Sequence, residues 1–367
     1  MNIPLIDIHA QTQSCRAELN EAIAHVIDRT AFIMGTEVAS LEKRLAAYTG
    51  SAYAVGCASG TDALILALRA LDIGPGDEVI TTPFTFFATA GAIVTVGAKP
   101  VFADIDLSTF NINADLIEEK ITFRTRCIMP VHLFGQCADM EKIRSIAQKY
   151  SLTIIEDAAQ SLGASFDNTM AGALGTLGCF SFYPTKNLGC MGDGGMIVTD
   201  SQHAADQAAL LRVHGSSSEY THTIVGTNSR LDTIQAAVLL VKMNYLDKWT
   251  EQRRLHAQRY GKDLANIDGC MLPVENQRCR HVYNQFTLLC QRRDELQAYL
   301  RGKGIGTRIY YPLPLHLQDS LAFLGHKKGA FPQSELAAHQ ALSIPVYPEL
   351  TGIQQDYISR CIQEFYQ

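Results

Sequence analysis

Little in this 367-residue sequence is concentrated in any one place. No block of like charge stands out, the formal net charge is −6, and the pI is near 6.0. A nucleic-acid binder needs a basic stripe to neutralise phosphates, so that class of partner is disfavoured. Every long apolar run is interrupted by Gly, Pro or charge before it reaches the ~20 residues that span a bilayer, so no membrane association is expected. The N-terminus, Met1-Asn-Ile-Pro-Leu-Ile-Asp7, carries an acid early and no basic stretch ahead of an apolar one. It does not read as a secretory signal. Ten cysteines are scattered from Cys15 to Cys361 without a C-x-x-C pair or a Cys/His cluster at zinc spacing. They read as buried or incidental thiols in a reducing cytoplasm, with neither a disulfide framework nor a metal site. No G-x-G-x-x-G opens the first strand–helix turn, which leaves a nicotinamide-binding Rossmann enzyme without support. Internal repeats and low-complexity segments are absent as well.

What is present is enough apolar residue, 47%, for a large core, and a length that suggests one large and one small domain. From Ala52 to Asp200 short β-rich runs alternate with helical stretches. The predicted strands are Tyr53–Cys57, Glu78–Thr82, Pro100–Asp104, Cys127–Leu133, Thr153–Glu156, Gly178–Phe182 and Met196–Thr199. Between them, Thr61–Leu71 repeats Leu64, Leu68 and Leu71 at helical spacing, and Gly74-Pro-Gly76 stops it. Asp139–Tyr150 places Met140, Ile143 and Ala147 on one face. Such alternation predicts an α/β fold whose largely parallel sheet is covered on both sides. Beyond Asp200 the pattern predicts helices at Ala204–Arg212 and Leu231–Arg259, the second carrying the chain out of the sheet domain. A smaller α+β unit follows, with strands Asn284–Leu289 and Thr307–Tyr310 and helices Arg293–Arg301 and Ser334–Ala341. The expected division is 1–249 for the large domain and 250–367 for the small one.

The chemistry-bearing residues fall in a particular order. Ser59-Gly60-Thr61-Asp62 follows a strand and opens a helix, where free N–H groups and the helix dipole make an anion site; the same residues also suit an ordinary N-cap. Asp157 ends an apolar strand and emerges at the carboxyl edge, where open α/β sheets bind ligands. There it can pair with a protonated pyridine nitrogen, with Gln160 three residues on reaching the ring hydroxyl, or it can simply cap the next helix. Lys186 stands in Ser181-Phe-Tyr-Pro-Thr-Lys186, ahead of Gly189, Gly192, Gly194 and Gly195. Most lysines are solvated, but an amine partly withdrawn from water loses its proton more readily and suits Schiff-base chemistry. Ser181 can offer a hydroxyl to a phosphate. Phe86 can stack on a flat ring or serve as a core phenylalanine.

Taken together these segments resemble the DegT-type sugar-nucleotide aminotransferases, pyridoxal phosphate (PLP) enzymes of the fold type I, aspartate aminotransferase, architecture. The resemblance runs from Pro4-Leu-Ile-Asp-Ile8 into the C-terminal part. It is carried by Ser59-Gly-Thr-Asp-Ala63, Gly74-Pro-Gly-Asp-Glu-Val79, Glu156-Asp-Ala-Ala-Gln160, Ser181-Phe-Tyr-Pro-Thr-Lys186 and Asn228-Ser-Arg-Leu-Asp232. It implies a large domain with a mostly parallel mixed sheet flanked by helices, plus a smaller C-terminal domain. Lys186 would be the Schiff-base lysine and Asp157 the partner of the pyridine nitrogen. Gln160 would touch the ring oxygen and Phe86 would stack on the ring. Gly60, Thr61 and Ser181 would hold the phosphate, with Asn228 reaching it from the neighbouring subunit of a homodimer. A related branch that dehydrates sugars carries histidine at the position of Lys186, so lysine implies transamination, with L-glutamate as the expected donor. The stretch from Val213-His-Gly215 to His222-Thr-Ile-Val-Gly-Thr-Asn228 resembles branches that aminate C3. Tyr310-Tyr-Pro312 replaces the His-Tyr-Pro of branches acting on a 3-keto uronic acid. UDP-2-acetamido-3-keto-glucose is the expected substrate, ahead of a dTDP-3-keto-6-deoxyhexose or the uronic acid. Arg230, whose guanidinium can grip an anion bidentately, Tyr310, His316 and His214 are candidate pocket residues, each with a plain structural alternative.

Overall fold

The computed structural model describes residues 1–367. Seven strands form one sheet: β1 (Tyr53–Cys57), β2 (Glu78–Thr81), β3 (Lys99–Phe102), β4 (Thr125–Ile128), β5 (Thr153–Asp157), β6 (Leu177–Ser181) and β7 (Gly195–Thr199). Their order across the sheet is β1-β7-β6-β5-β4-β2-β3. Neighbours from β6 to β3 run parallel, whereas β7 is antiparallel to both β6 and β1.

Side chains alternate along each strand and fill two different layers. Cys127, Ile155, Cys179 and Ile197 enter one core with the helix Gly60–Ala70, through its Ala63, Leu64, Ala67 and Leu68. Ile128 and Ile154 enter the opposite core with Met140, Ile143 and Ala147 of the helix Met140–Tyr150. Phe180, Met196 and Val198 also take the opposite side, against Val38, Leu41 and Leu45 of the helix Thr36–Thr49. A parallel sheet buried on both faces reads as nearly continuous apolar runs, which is how these strands read in the sequence.

Two strand ends differ from the sequence expectation. The predicted run Cys127–Leu133 leaves the ladder at Ile128. Pro130 has no N–H to give and instead accepts from Asp157 N at 2.9 Å. The chain then turns through Leu133–Gly135, where Phe134 takes φ 59°. Thr307–Tyr310 forms no strand; a single bridge joins Arg308 to Ser343.

The single helix expected over Leu231–Arg259 is two helices, Thr233–Lys242 and Leu246–Asp263. At the break, Asn244 N and Tyr245 N bond three residues back, to Val241 O and Lys242 O, each at 3.0 Å. The Leu240 carbonyl thereby loses its helical partner and accepts from Arg44 at 3.0 Å, while Arg44 also donates to Asn244 Oδ1 at 2.8 Å. The second helix starts beside the sheet through Leu246 and finishes, through Ala257 and Tyr260, in a separate core. That core contains a three-stranded antiparallel sheet in the order β8 (Cys270–Met271), β9 (Phe286–Cys290), β10 (Ala341–Ile344). It also holds Ile3, whose backbone pairs with Gly304 and Gly306. Arg253, wholly buried, donates to the carbonyls of Tyr283 and Val346, and burial pulls its guanidinium down to about 10. No helix is long and apolar enough to cross a membrane.

Candidate active site

The end of β5 carries two adjacent carboxylates on opposite faces. Glu156, on the side of Ile154, is fully buried and saturated with donors. It accepts from Gly172 N at 2.8 Å, Leu174 N at 2.7 Å and Gly175 N at 2.6 Å, and pairs with His132 Nε2 at 2.8 Å. His132 Nδ1 accepts from Ala138 N at 3.2 Å, so the imidazole proton sits on Nε2 and points at Glu156. Asp157 lies on the other side, with Ile155 and Cys179, and has lone pairs to spare. Its Oδ2 accepts from Thr89 Oγ1 at 2.7 Å and its Oδ1 from Ala159 N at 3.3 Å. Burial pushes the Asp157 carboxyl above the usual range, while Thr89, the Ala159 N–H, Lys186 and His132 pull it back.

Ser181 ends β6 on the face of Asp157, since Cys179 points there and side chains alternate. Beside it the helix Gly60–Ala70 begins, capped by Ser59 Oγ, which accepts from Asp62 N at 3.1 Å. A Cβ on Gly60 would stand 2.5 Å from Ser181 Cβ, so only glycine permits this approach. Thr61 is exposed at the mouth of the turn. Ser229 donates to Asp62 Oδ2 at 2.8 Å and accepts from Ala58 N at 3.3 Å, fastening the Asn228-Ser229-Arg230 segment to the same turn. Asn228 is exposed, and the buried Arg230 Nε has no partner within the chain.

Lys186 lies in the crossover between β6 and β7, its N–H bonded to Tyr183 O at 2.8 Å. The side chain is part-buried, and loss of solvation brings its ammonium down to about 8 while Asp157 pulls it back up. Each of these two charges favours the ionised form of the other, as an opposite charge does. The loop is held just after the lysine. Asn187 donates to Val282 O at 3.1 Å, and the buried Lys242 Nζ donates to Gly189 O at 2.6 Å.

Gln160 accepts from Phe134 N at 2.7 Å and donates to Tyr311 OH at 3.2 Å. The Tyr311 ring lies 6.3 Å from that of Phe86, which is 57% exposed, and 5.7 Å from that of Tyr310. Gln160, Phe86 and Tyr310 therefore converge on Tyr311. His316 is placed apart, bonded to Glu335 Oε1 at 3.0 Å and packed on Phe331. His214 is exposed, and its carbonyl accepts from His222 at 3.0 Å. Three contributors carried no local sequence signal: Thr89, His132 and Lys242; Tyr311 lies within the Tyr310-Tyr-Pro312 triplet, but the triplet assigns it no role. No group of three or more His, Cys, Asp or Glu side chains is arranged to hold a metal ion.

These residues fit PLP. The amine brought near neutrality suits the aldehyde, the spare oxygens of Asp157 suit a pyridine N–H, and the turn where a Gly60 Cβ would collide with Ser181 suits a phosphate. A fold type I sheet with these parts defines a PLP-dependent aminotransferase. The chain matches the DegT/DnrJ/EryC1/StrS aminotransferase family over residues 13–363 and belongs to it. It is 49% identical to a pleiotropic regulatory protein of Geobacillus stearothermophilus, with 100% of this chain and 99% of that one covered. It is 44% identical to a UDP-N-acetyl-3-dehydro-alpha-D-glucosamine 3-aminotransferase of Acidithiobacillus ferrooxidans, covering 98% and 97%. The crystal structure of S. venezuelae DesV in complex with a ketimine intermediate superposes with a TM-score of 0.98, at 41% identity over 100% of this chain and 99% of that one.

Proposed function

We propose that this chain works as a cytoplasmic homodimer that moves an amino group from L-glutamate to C3 of UDP-2-acetamido-3-keto-glucose, in amino-sugar biosynthesis for a surface polysaccharide or lipid A. The observation that carries the transfer chemistry is the buried Asp157 at the carboxyl edge of β5, held by Thr89 on the same face as the Gly60–Ser181 turn. When bound, PLP supplies a conjugated ring that accepts the electron pair left by a departing proton. Lys186, its ammonium brought down to about 8, would take the donor's α-proton and give it to the carbon of the cofactor aldehyde, as general base and then acid. Asp157 keeps a negative charge beside the ring nitrogen and so keeps that nitrogen protonated. The free N–H groups of the Gly60–Thr61 turn and the Ser181 hydroxyl bind the phosphate, and Asn228 of the second subunit completes that grip. Phe86 covers one face of the ring, and Gln160, fixed by Phe134 N and Tyr311, addresses the ring oxygen. Both half-reactions use this one site, which gives ping-pong kinetics.

Support for the sugar comes from two sides. The Acidithiobacillus relative is named for a UDP-N-acetyl-3-dehydro sugar. In this chain Tyr310 stands where a histidine would accompany a carboxylated sugar, which disfavours the uronic acid; a dTDP-3-keto-6-deoxyhexose is the second choice. Arg230, with its Nε unpartnered, and Tyr310 beside Phe86 and Tyr311 are the side chains assigned to the substrate. A non-catalytic, regulatory reading is favoured by the name of the Geobacillus relative. The retained Lys186 and Asp157 pair speaks against it, because a sensor needs no proton-transfer group.

A visible spectrum of the protein with PLP, before and after L-glutamate, tests the proposal. Conversion of the yellow form by glutamate, and its recovery with UDP-2-acetamido-3-keto-glucose in preference to dTDP-3-keto sugars, is the expected outcome. A cofactor-bound spectrum indifferent to every amino donor would establish the regulatory reading instead.

A further inference from the structure

In the turn after β2, Thr82-Pro-Phe-Thr85-Phe-Phe-Ala-Thr89, Thr85 and Thr89 stand one helical turn apart. Both are buried, Thr89 completely and Thr85 at 2% exposure. A helical threonine ordinarily satisfies its hydroxyl on the carbonyl four residues back. Thr95, in the same helix Ala88–Thr95, does so, donating to Gly91 O at 2.7 Å. Thr89 instead reaches 68 residues along the chain to Asp157 Oδ2 at 2.7 Å.

A hydroxyl has one proton. If Thr89 gives its proton to the carboxylate, it can only accept from Thr85, whose Oγ1 lies 3.0 Å away. The two threonines thus form a directed relay, Thr85 to Thr89 to Asp157. Its effect is to fix one carboxylate oxygen and leave Oδ1 with only the long 3.3 Å contact from Ala159 N.

We propose that Thr89, oriented by Thr85, is a positioning residue for catalysis: it sets which Asp157 oxygen meets the ring nitrogen. This inference rests on the role given above to Asp157. Burial alone drives that carboxyl toward its neutral form, and the Thr89 hydroxyl is the largest of the groups that oppose it. A neutral Asp157 could not hold the ring nitrogen protonated. Valine at 89 would keep the shape and remove the proton, whereas serine would keep the proton and lose one methyl.

The test compares Thr89→Val, Thr89→Ser, Asp157→Asn and the Thr89→Val/Asp157→Asn double variant. PLP dissociation constants, visible spectra of the bound cofactor and single-turnover rates with L-glutamate are measured for each. Thr89→Val is expected to bind PLP within about threefold of the parent, to show a shifted spectrum, and to slow the donor half-reaction about 10–100-fold, as one hydrogen bond to a charged group would. Thr89→Ser should restore both spectrum and rate. In the Asp157→Asn background the valine should add less than about twofold, because coupled residues are not additive. Parental spectrum and rate in Thr89→Val, failure of serine to rescue, or an undiminished valine effect in the Asp157→Asn background would each overturn the proposal. Near-parental turnover by Asp157→Asn alone is a different failure. It would remove the role of Asp157 itself, and this inference with it.

Discussion

Asn284 donates its side-chain amide to Asn187 Oδ1 at 2.8 Å, and so ties the residue next to Lys186 to a segment nearly a hundred positions further along the chain. Both amides are buried. Lys186 is thus held by a contact from the C-terminal half as well as by its own crossover loop. Asn284→Ala should leave Asn187 Oδ1 unmatched and loosen that loop. A loss of about 1–3 kcal/mol in urea unfolding is expected, as for a buried polar group left alone. Transamination should slow by more than cofactor affinity falls, and parallel losses in both would argue against a link to Lys186.

Replacing Lys186 itself by alanine removes the group to which we assign the proton transfer. The glutamate half-reaction should fall by at least about 10²–10⁴-fold, the usual contribution of a positioned acid–base group. Stopped-flow spectra of the PLP-loaded variant measure it. A borohydride-reducible adduct persisting on another lysine would contradict the assignment.

The lowered Lys186 ammonium has a direct pH signature. Only the neutral amine attacks an aldehyde, so capture of PLP by the apoprotein should accelerate as pH rises and level off above about 8. A midpoint near the ordinary 10.5 would mean that the amine is not desolvated. The sign for stability follows from the same shift. Between about 8 and 10.5 the unfolded chain binds more protons here than the folded one, so the cost of burying this amine fades as pH climbs. Subtracting the Lys186→Met urea-unfolding profile isolates that component.

Glu156→Gln probes the neighbouring carboxylate. An amide nitrogen in place of one oxygen would set N–H donors against N–H donors at Gly172 and His132, or at Leu174 and Gly175. A destabilisation of roughly 2–4 kcal/mol is expected from breaking a buried charged network. Urea unfolding of the apoprotein reads it, and a change below about 0.5 kcal/mol would show that the network is not needed.

Subunit sharing has its own test. A Lys186→Ala subunit paired with an Asn228→Asp subunit regenerates one intact site only if Asn228 acts across the interface. Mixed after partial unfolding, the two inactive preparations should recover part of the parental activity. No recovery in a verified heterodimer would place Asn228 within its own subunit's site.

Much of this was legible in the chain. Six of the seven strands of the main sheet lie within two residues of their sequence expectation, because apolar β-rich runs punctuated by Gly and Pro are local signals; the expected Cys127–Leu133 ran five residues past the strand's end at Ile128. Asp157 was placed at a strand end by the same means. The partners of these residues were not legible. Thr89 meets Asp157 across 68 positions, Tyr311 meets Gln160 across 151, and His132 meets Glu156 across 24. Nothing periodic connects them, and only the folded sheet does. The helix break at Met243–Tyr245 escaped for a related reason: it is stabilised by Arg44, some two hundred residues earlier. Its own sequence reads as a helix throughout.

The opposed directions of Glu156 and Asp157 make β5 unusually intolerant of a register error. Slipping the strand by a single residue would exchange the two carboxylates, sending the reactive one into a nest of backbone donors and the anchoring one into the cleft. Neither arrangement could function, because the anchored group would have no free oxygen and the exposed one no scaffold. Correct pairing of β5 with β4 and β6 is therefore a checkpoint at which folding accuracy and chemical competence are decided together.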